Sequence, residues 1–329
     1  MTHKYLYNSI ASSTRNTYNA AYTSYEKFAK QNGIPLNLQL PITTSTMVLW
    51  IVWLADQSYR GLTFKTIKTY LSGIISISIE LGHPDPVSNN TIVAQILRSV
   101  KRTIGVKPTF KRLPVTTGII RSILKSVPDN IRQYLDRLLL AAICIGTFGL
   151  LRCGEFVQTN NDQDNELKLS QLSLLNQFGM PINIKTANNI QLSNTNYLSI
   201  HLNQSKADPY RKGADIEISN IIAVRILIDY IKLHPKRSSS NSVLFIHRNG
   251  DSLTRDELVN GTRKYLIHAN IPNANDYHGH SFRKGGAQSL LEAGIDSETI
   301  QRLGRWASDS HLLYHQLTLP MRLAISQKM

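Results

Sequence analysis

HSFRKGGAQ, residues His280 to Gln288, sets an imidazole and a guanidinium three residues apart, then places two glycines where the pattern still runs as a helix. The spacing predicts a helix from about Ser281, with His280 and Arg283 in its first turn on neighbouring sides. Backbone N–H groups at such a start are unpaired and carry the positive end of the helix dipole. A guanidinium offers a planar fork matched to two phosphate oxygens, and an imidazole exchanges a proton near neutral pH. Gly285 and Gly286 weaken a helix by up to about 1 kcal/mol each, but permit close approach by a partner molecule or by a packed helix. The pattern is short, and the chain holds a second one, His234-Pro-Lys-Arg237. The surroundings decide which of the two matters.

The whole chain suits a polyanionic partner. Its 329 residues carry a formal net charge of +15 with 42% hydrophobic residues, enough for a packed core in two domains or one large one. Residues 1–112 hold 13 Lys and Arg against 4 Asp and Glu, and six cations with no carboxylate fall between Arg98 and Arg112. The two cysteines, Cys144 and Cys153, lie in or beside an apolar run and read as buried thiols, which suits a reducing compartment. The N-terminus lacks an apolar leader, and the longest apolar run, Leu138 to Leu151, is too short to span a bilayer. The expected location is intracellular, in the nucleus of a eukaryote and otherwise in the cytoplasm, with no membrane partner.

Periodicity predicts a mainly α fold with a small antiparallel β-sheet, an α+β arrangement. Residues 1–103 form a helical, basic domain with helices near 12–30, 43–58, 63–81 and 89–103, the first capped by Ser12 or Ser13. Residues 104–115, with two prolines and a cluster of cations, read as a linker. In residues 116–329, helices are expected near 116–126, 131–149, 220–233, 255–268, 281–293, 297–304 and 309–318. Thr254-x-x-Glu257 forms a capping box. Alternation marks strands near 167–175, 197–204 and 214–219, with SKADPYRKG at a hairpin tip. The Asn-rich patch at 158–196 reads as loop.

Three further stretches accompany HSFRKGGAQ. GLLRCGEF, residues 149–156, ends the apolar helix with Arg152 and, three residues on, Glu155, a carboxylate able to hold the guanidinium in one orientation. Lys206 lies at the hairpin tip, where a long cation can swing into a groove. LGRWASDSHLLYH brings Trp306 and, eight residues later, Tyr314.

Taken jointly, GLLRCGEF, a hairpin lysine, HSFRKGGA, LGRW and a tyrosine a short helix later resemble the tyrosine recombinases of the phage-integrase type. The similarity is nearest to the eukaryotic mobile-element branch of DIRS-type and Crypton-type elements, where a GRW…Y ending is usual. It extends over almost the whole chain: residues 1–103 resemble the helical core-binding (SAM-like) domain and residues 116–329 the catalytic domain. His234-x-x-Arg237 lacks such company and sits in a Pro-Lys-Arg-Ser loop.

The resemblance implies a site-specific recombinase or integrase that cuts and rejoins double-stranded DNA without metal, nucleotide or other cofactor. Tyr314 is then the nucleophile, forming a 3′-phosphotyrosyl link and releasing a 5′-hydroxyl. Arg152 and Arg283 clamp the non-bridging oxygens, Lys206 protonates the leaving oxygen, and His280 serves in proton transfer. Trp306 holds the phosphate by its indole N–H and packs the Tyr314 helix, while Glu155 supports Arg152. Many relatives carry a His two residues after the glycine-leucine turn, where this chain has GRW, so that role falls to Trp306 and Arg305 is left as a phosphate contact. Arg15, Lys65, Lys68, Arg98, Lys101 and Arg102 are expected to touch DNA phosphates, the two domains forming a C-shaped clamp. The family works as a homo-tetramer on synapsed sites.

Three rivals remain. A type IB topoisomerase shares the chemistry, and a mobile-element protein that has lost catalysis shares the DNA binding. A metal hydrolase built on His278 and His280 lacks a cluster of further ligands at recognisable spacing.

Overall fold

The computed structural model describes residues 9–35, 39–56, 61–105, 112–159, 166–205, 208 and 210–314, and for Ile131, Leu313 and Tyr314 the main chain alone. The chain divides into two units, residues 1–109 and 110–329.

The first unit is helical. Helices α1 (Ser12–Gln31), α2 (Thr44–Ala55), α3 (Phe64–Glu80) and α4 (Thr91–Ile104) surround Tyr25, Phe28, Trp50, Ile51, Leu54, Ile67 and Ile74, all buried. Thr43, Thr63 and Asn90 cap α2, α3 and α4, each accepting the backbone N–H three residues on. The cap of α1 is Ala11, without a side-chain bond, so the expected serine cap is replaced by an uncapped start. A second correction concerns Arg15. It is buried and ion-paired to Glu80 at 2.8 Å, fastening α1 to α3 instead of facing solvent. Lys65, Lys68, Arg98, Lys101 and Arg102 are exposed on α3 and α4.

The second unit is organised by α6 (Tyr134–Phe148), apolar on every side and buried from Leu138 to Thr147. Around it pack α8 (Ile221–Ile231), α9 (Arg255–His268) and α10 (Ser281–Glu292), with α5 (Thr117–Ser126) against α9. The Thr254–Glu257 capping box opens α9 as its sequence predicts.

A four-stranded antiparallel sheet completes this mainly α unit. Its order is β2–β1–β3–β4, for β1 (Leu172–Leu175), β2 (Pro181–Ile182), β3 (Tyr197–Leu202) and β4 (Ala214–Ile218). Alternation buries Leu172, Leu174, Leu198, Ile200, Ile216 and Ile218 on one face, in the register Leu174↔Leu198↔Ile218 and Leu172↔Ile200↔Ile216.

The Asn-rich patch is more ordered than its composition suggests. It holds β2 and the short helix α7 (Asn189–Ser193), and Asn176, Asn183 and Asn188 accept backbone N–H groups at its turns. Residues 169–171 form a 3-10 turn where strand was expected, and 309–314 form a 3-10 turn in place of an α-helix. Residues 112–115, expected to end the linker, instead run along the start of α10. Val115 donates to the Ser281 carbonyl at 2.9 Å, and Lys284 Nζ donates to the Arg112 carbonyl at 2.8 Å. Among the described residues no helix is long and apolar enough to cross a membrane.

Candidate active site

Helix α6 ends at Phe148, and the chain turns sharply through Gly149 and Leu150. Leu150 takes a left-handed backbone, φ 51°, which a branched side chain adopts only when its surroundings impose it. That conformation turns the Leu150 carbonyl toward α10, and two guanidiniums donate to it. One is Arg283 Nη1, and the other is Arg305 Nη2 at 3.3 Å.

Arg283 is 1% exposed. Beside Leu150 O, it donates through Nη2 to the Gly304 carbonyl, and its Cζ stands 4.1 Å from the centre of the Trp306 ring. Trp306 itself is buried with Leu150, Ala287 and Ile300, next to the His311 ring at 6.1 Å. His311 meets Ser297 Oγ through Nε2 at 2.9 Å, which ties the 3-10 turn carrying Tyr314 to the start of α11 (Ser297–Leu303). The indole is therefore a packing element between Arg283 and that turn.

Arg152 follows the same turn. Its Nη1 donates to Glu155 Oε1 at 2.9 Å, and its backbone N–H to Oε2 at 2.8 Å. Glu155 is buried and also receives Arg305 Nη2 at 3.4 Å. The Arg152 side chain keeps 21% exposure and that of Arg305 14%. Arg305 adopts a left-handed backbone, φ 57°, which lets the turn after α11 aim its guanidinium at the 149–155 loop. Burial lowers its pKa from the ordinary guanidinium range, with Arg152 pushing the same way and Glu155 opposing.

His280 stands at the N-terminal end of α10, exposed, while Arg283 one turn on points inward. Packing around the ring, then the charges of Arg112, Arg255, Arg152 and Arg283, lower its pKa to about 4. The ring retains solvent contact, and the surrounding guanidiniums disfavour its charged form. The imidazole is neutral throughout the neutral range. His278 turns away, its Nδ1 meeting Arg263 Nη2 at 3.2 Å. Among the described residues no group of three or more His, Cys, Asp or Glu side chains converges as a metal site.

Gly285 and Gly286 now have a structural reason. A Cβ on Gly285 would stand 1.9 Å from the Val115 carbonyl oxygen, and one on Gly286 would stand 2.2 Å from that of Thr147. Close approach by chain 112–116 on one side and α6 on the other requires glycine at both. Cys153 lies between these layers, its Sγ 3.1 Å from the Gly279 carbonyl, with burial pushing the thiol pKa up to about 12.

Of the residues expected from sequence, Arg152, Glu155, Arg283, Arg305 and Trp306 come together in one network, with His280 within reach of the charges of Arg152 and Arg283. Lys206 lies outside the described residues. Sequence reasoning missed Arg112 and Arg255, whose charges also act on His280. Arg112 is the last cation of the basic run and Arg255 the first residue of α9, and nothing in their local pattern separates them from solvated charges. The second motif is structural. His234 is buried, with Nε2 3.1 Å from the Val243 carbonyl and Nδ1 accepting the Lys236 backbone N–H.

Solved structures share this fold. The XerH site-specific recombinase in a post-cleavage complex with palindromic difH substrate is 16% identical, with a TM-score of 0.60, covering 95% of this chain and 79% of that one. The Tn1549 transposon integrase in complex with transposon right end DNA is 14% identical, with a TM-score of 0.55, covering 98% and 95%. A lambda integrase dimer bound to a COC' core site is 15% identical, with a TM-score of 0.50, covering 94% and 90%. No curated protein matches. The mostly helical architecture with its four-stranded antiparallel sheet is that of the tyrosine-recombinase catalytic domain, and residues 189–316 match the phage integrase family.

Proposed function

We propose that this protein is a site-specific DNA recombinase or integrase that breaks and rejoins strands through a 3′-phosphotyrosyl intermediate at Tyr314. The observation that carries the reading is the convergence of Arg152, Arg283 and Arg305 on the Leu150 carbonyl and the Glu155 carboxylate. Three guanidiniums with one carboxylate form an anion site suited to charge that grows at phosphorus. Arg152 and Arg305, which keep exposed area, are the phosphate-facing pair. Arg283 supplies charge from beneath and reaches the phosphate only if its carbonyl bonds to Leu150 and Gly304 give way.

In this reading Tyr314 Oη attacks the phosphodiester, the P–O5′ bond breaks, and Lys206 donates a proton to the departing 5′ oxygen. Neutral His280 accepts the phenol proton, directly or through water. Trp306 positions the turn that carries Tyr314. Because the phosphotyrosyl bond retains the energy of the broken one, a 5′-hydroxyl can reverse the attack and exchange strands. The GRW turn supports placement beside the DIRS-type and Crypton-type elements. Double-stranded DNA is the partner, with four protomers on two synapsed sites. The two folding units agree with a core-binding and a catalytic domain.

The test is a suicide substrate: nicked duplex carrying the ends of the native element, in EDTA, with Tyr314→Phe beside the wild type. A protein–DNA band in SDS that disappears in the variant is expected, and its dependence on sequence favours a recombinase over a topoisomerase. Tight binding without an adduct on any substrate favours a catalytically silent DNA-binding protein and overturns the catalytic roles of Tyr314, Lys206 and His280.

A further inference from the structure

The charge around His280 exceeds what one phosphodiester requires. Arg152 and Arg305 share the Glu155 carboxylate, and Arg283 lies below them with its donors on carbonyls. Arg112 and Arg255 are different. Both are exposed, both act on His280, and among the described residues neither guanidinium meets a carboxylate or a carbonyl. A reacting phosphodiester carries a single negative charge, so most of this field is left without a counter-charge.

Both residues are held firmly from behind. The Arg112 carbonyl is fixed by Lys284 Nζ at 2.8 Å, and the next residue, Leu113, donates to the Asp276 carbonyl at 3.0 Å. Arg255 donates its backbone N–H to the Gln158 carbonyl at 2.9 Å at the capped start of α9. Its side chain crosses the residue before His280: a Cβ on Gly279 would stand 2.8 Å from Arg255 Nε. Two cations from separate segments thus have their main chain anchored around the start of α10, with their charged ends left to solvent.

We propose that Arg112 and Arg255 hold a second phosphodiester, the neighbour in the same strand of the one faced by Arg152 and Arg305. This rests on the reading of the site as one for DNA. It has a consequence for His280, which is faced by Arg112 from the 112–116 segment, Arg255 from α9, Arg152 from the turn after α6 and Arg283 from its own helix. A phosphate on Arg112 and Arg255 cancels two of those charges. The imidazole then binds a proton more readily when DNA is in place than when it is absent.

The experiment measures binding of the full chain to duplex DNA against salt, for the wild type, Arg112→Gln, Arg255→Gln, the double variant and Arg255→Lys. Each phosphate neutralised contributes about 0.9 to the slope of log affinity against log salt. The double variant is expected to lose about that amount, each single Gln variant less, and Arg255→Lys little. An unchanged slope in a double variant that keeps its melting temperature overturns the second site. Histidine-ring NMR gives a separate readout. The His280 titration is expected to move up in the double variant and, in the wild type, on adding duplex, whereas no movement in either removes the coupling. Failure of the wild type to form the tyrosyl adduct defeats the recombinase reading and leaves the slope to judge this site by itself.

Discussion

Leu150 and Arg305 both carry side chains on left-handed backbone, and Arg305 Nη2 donates to the Leu150 carbonyl at 3.3 Å. Two turns from distant parts of the chain, each strained, are thereby locked to one another. Strain of this kind persists where surrounding contacts over-determine it, and it clusters at functional sites.

Replacing Arg305 separates the two roles of the residue. Arg305→Gly removes the guanidinium but suits φ 57°, whereas Arg305→Ala removes the guanidinium and keeps the strain. Urea titration should find the glycine variant more stable than the alanine variant by about 1 kcal/mol. Both should lose the tyrosyl adduct, and full adduct yield in either would remove Arg305 from the phosphate site.

Gly285→Ala and Gly286→Ala should each destabilise the second unit by about 3 kcal/mol, read from the denaturation midpoint. Helix propensity alone predicts the opposite, a gain of about 1 kcal/mol for each substitution. The sign decides. The Val115 and Thr147 carbonyls that block the new methyl groups are main chain and cannot turn aside as a flexible side chain can. A stabilised Gly285 variant would show that the 112–116 segment does not pack against α10, and a stabilised Gly286 variant that the end of α6 does not.

His280 should make the protein sensitive to acid in a defined window. Its folded pKa, about 4, lies below the ordinary 6.5, so between those values the unfolded chain binds the proton and the folded one does not. The contribution to stability is whole above about pH 6.5 and is lost as pH falls toward 4. His278 and His234, both also lowered, act in the same direction. His280→Gln should therefore flatten melting temperature against pH over that interval, and an identical profile would mean that the guanidinium field does not act on this ring.

Trp306 lies over Arg283 and beside His311, and its ring rests against Gly304. Trp306→Ala should destabilise the protein by about 3 kcal/mol through the cavity it leaves. Trp306→Phe should retain most of the packing. Adduct yield is expected to fall further than duplex affinity in the alanine variant, because the loss falls on the turn before Tyr314. Equal loss of the two would argue that Trp306 shapes the DNA surface instead.

Much of this molecule is legible in local pattern. Helices α1 to α6 and α8 to α11 lie within a few residues of their predicted spans, because apolar periodicity, Thr and Asn caps and Gly-Pro stops act over neighbouring residues. Strands β3 and β4 follow from strict alternation. Where several weak signals shared one neighbourhood, as around His280 and Arg283, order along the chain was enough to bring Arg152, Glu155 and Arg305 to the same site.

Other features depend on parts of the chain that local pattern does not connect. Arg15 sits in a basic domain and looks like a DNA contact, but Glu80, far along the sequence, pairs with it inside the unit. The tandem glycines admit protein carbonyls from residues 115 and 147, which no spacing near residue 285 reveals. Trp306 and Arg305 are adjacent in sequence, and the left-handed turn between α11 and the Tyr314 segment alone determines which is buried and which meets Glu155. Sequence by itself determined which residue types would be present in the guanidinium cluster and on which elements they would ride. Only the tertiary structure decided which guanidiniums are buried against carbonyls and which are left to solvent, because that depends on the acceptors that distant segments bring within hydrogen-bond reach.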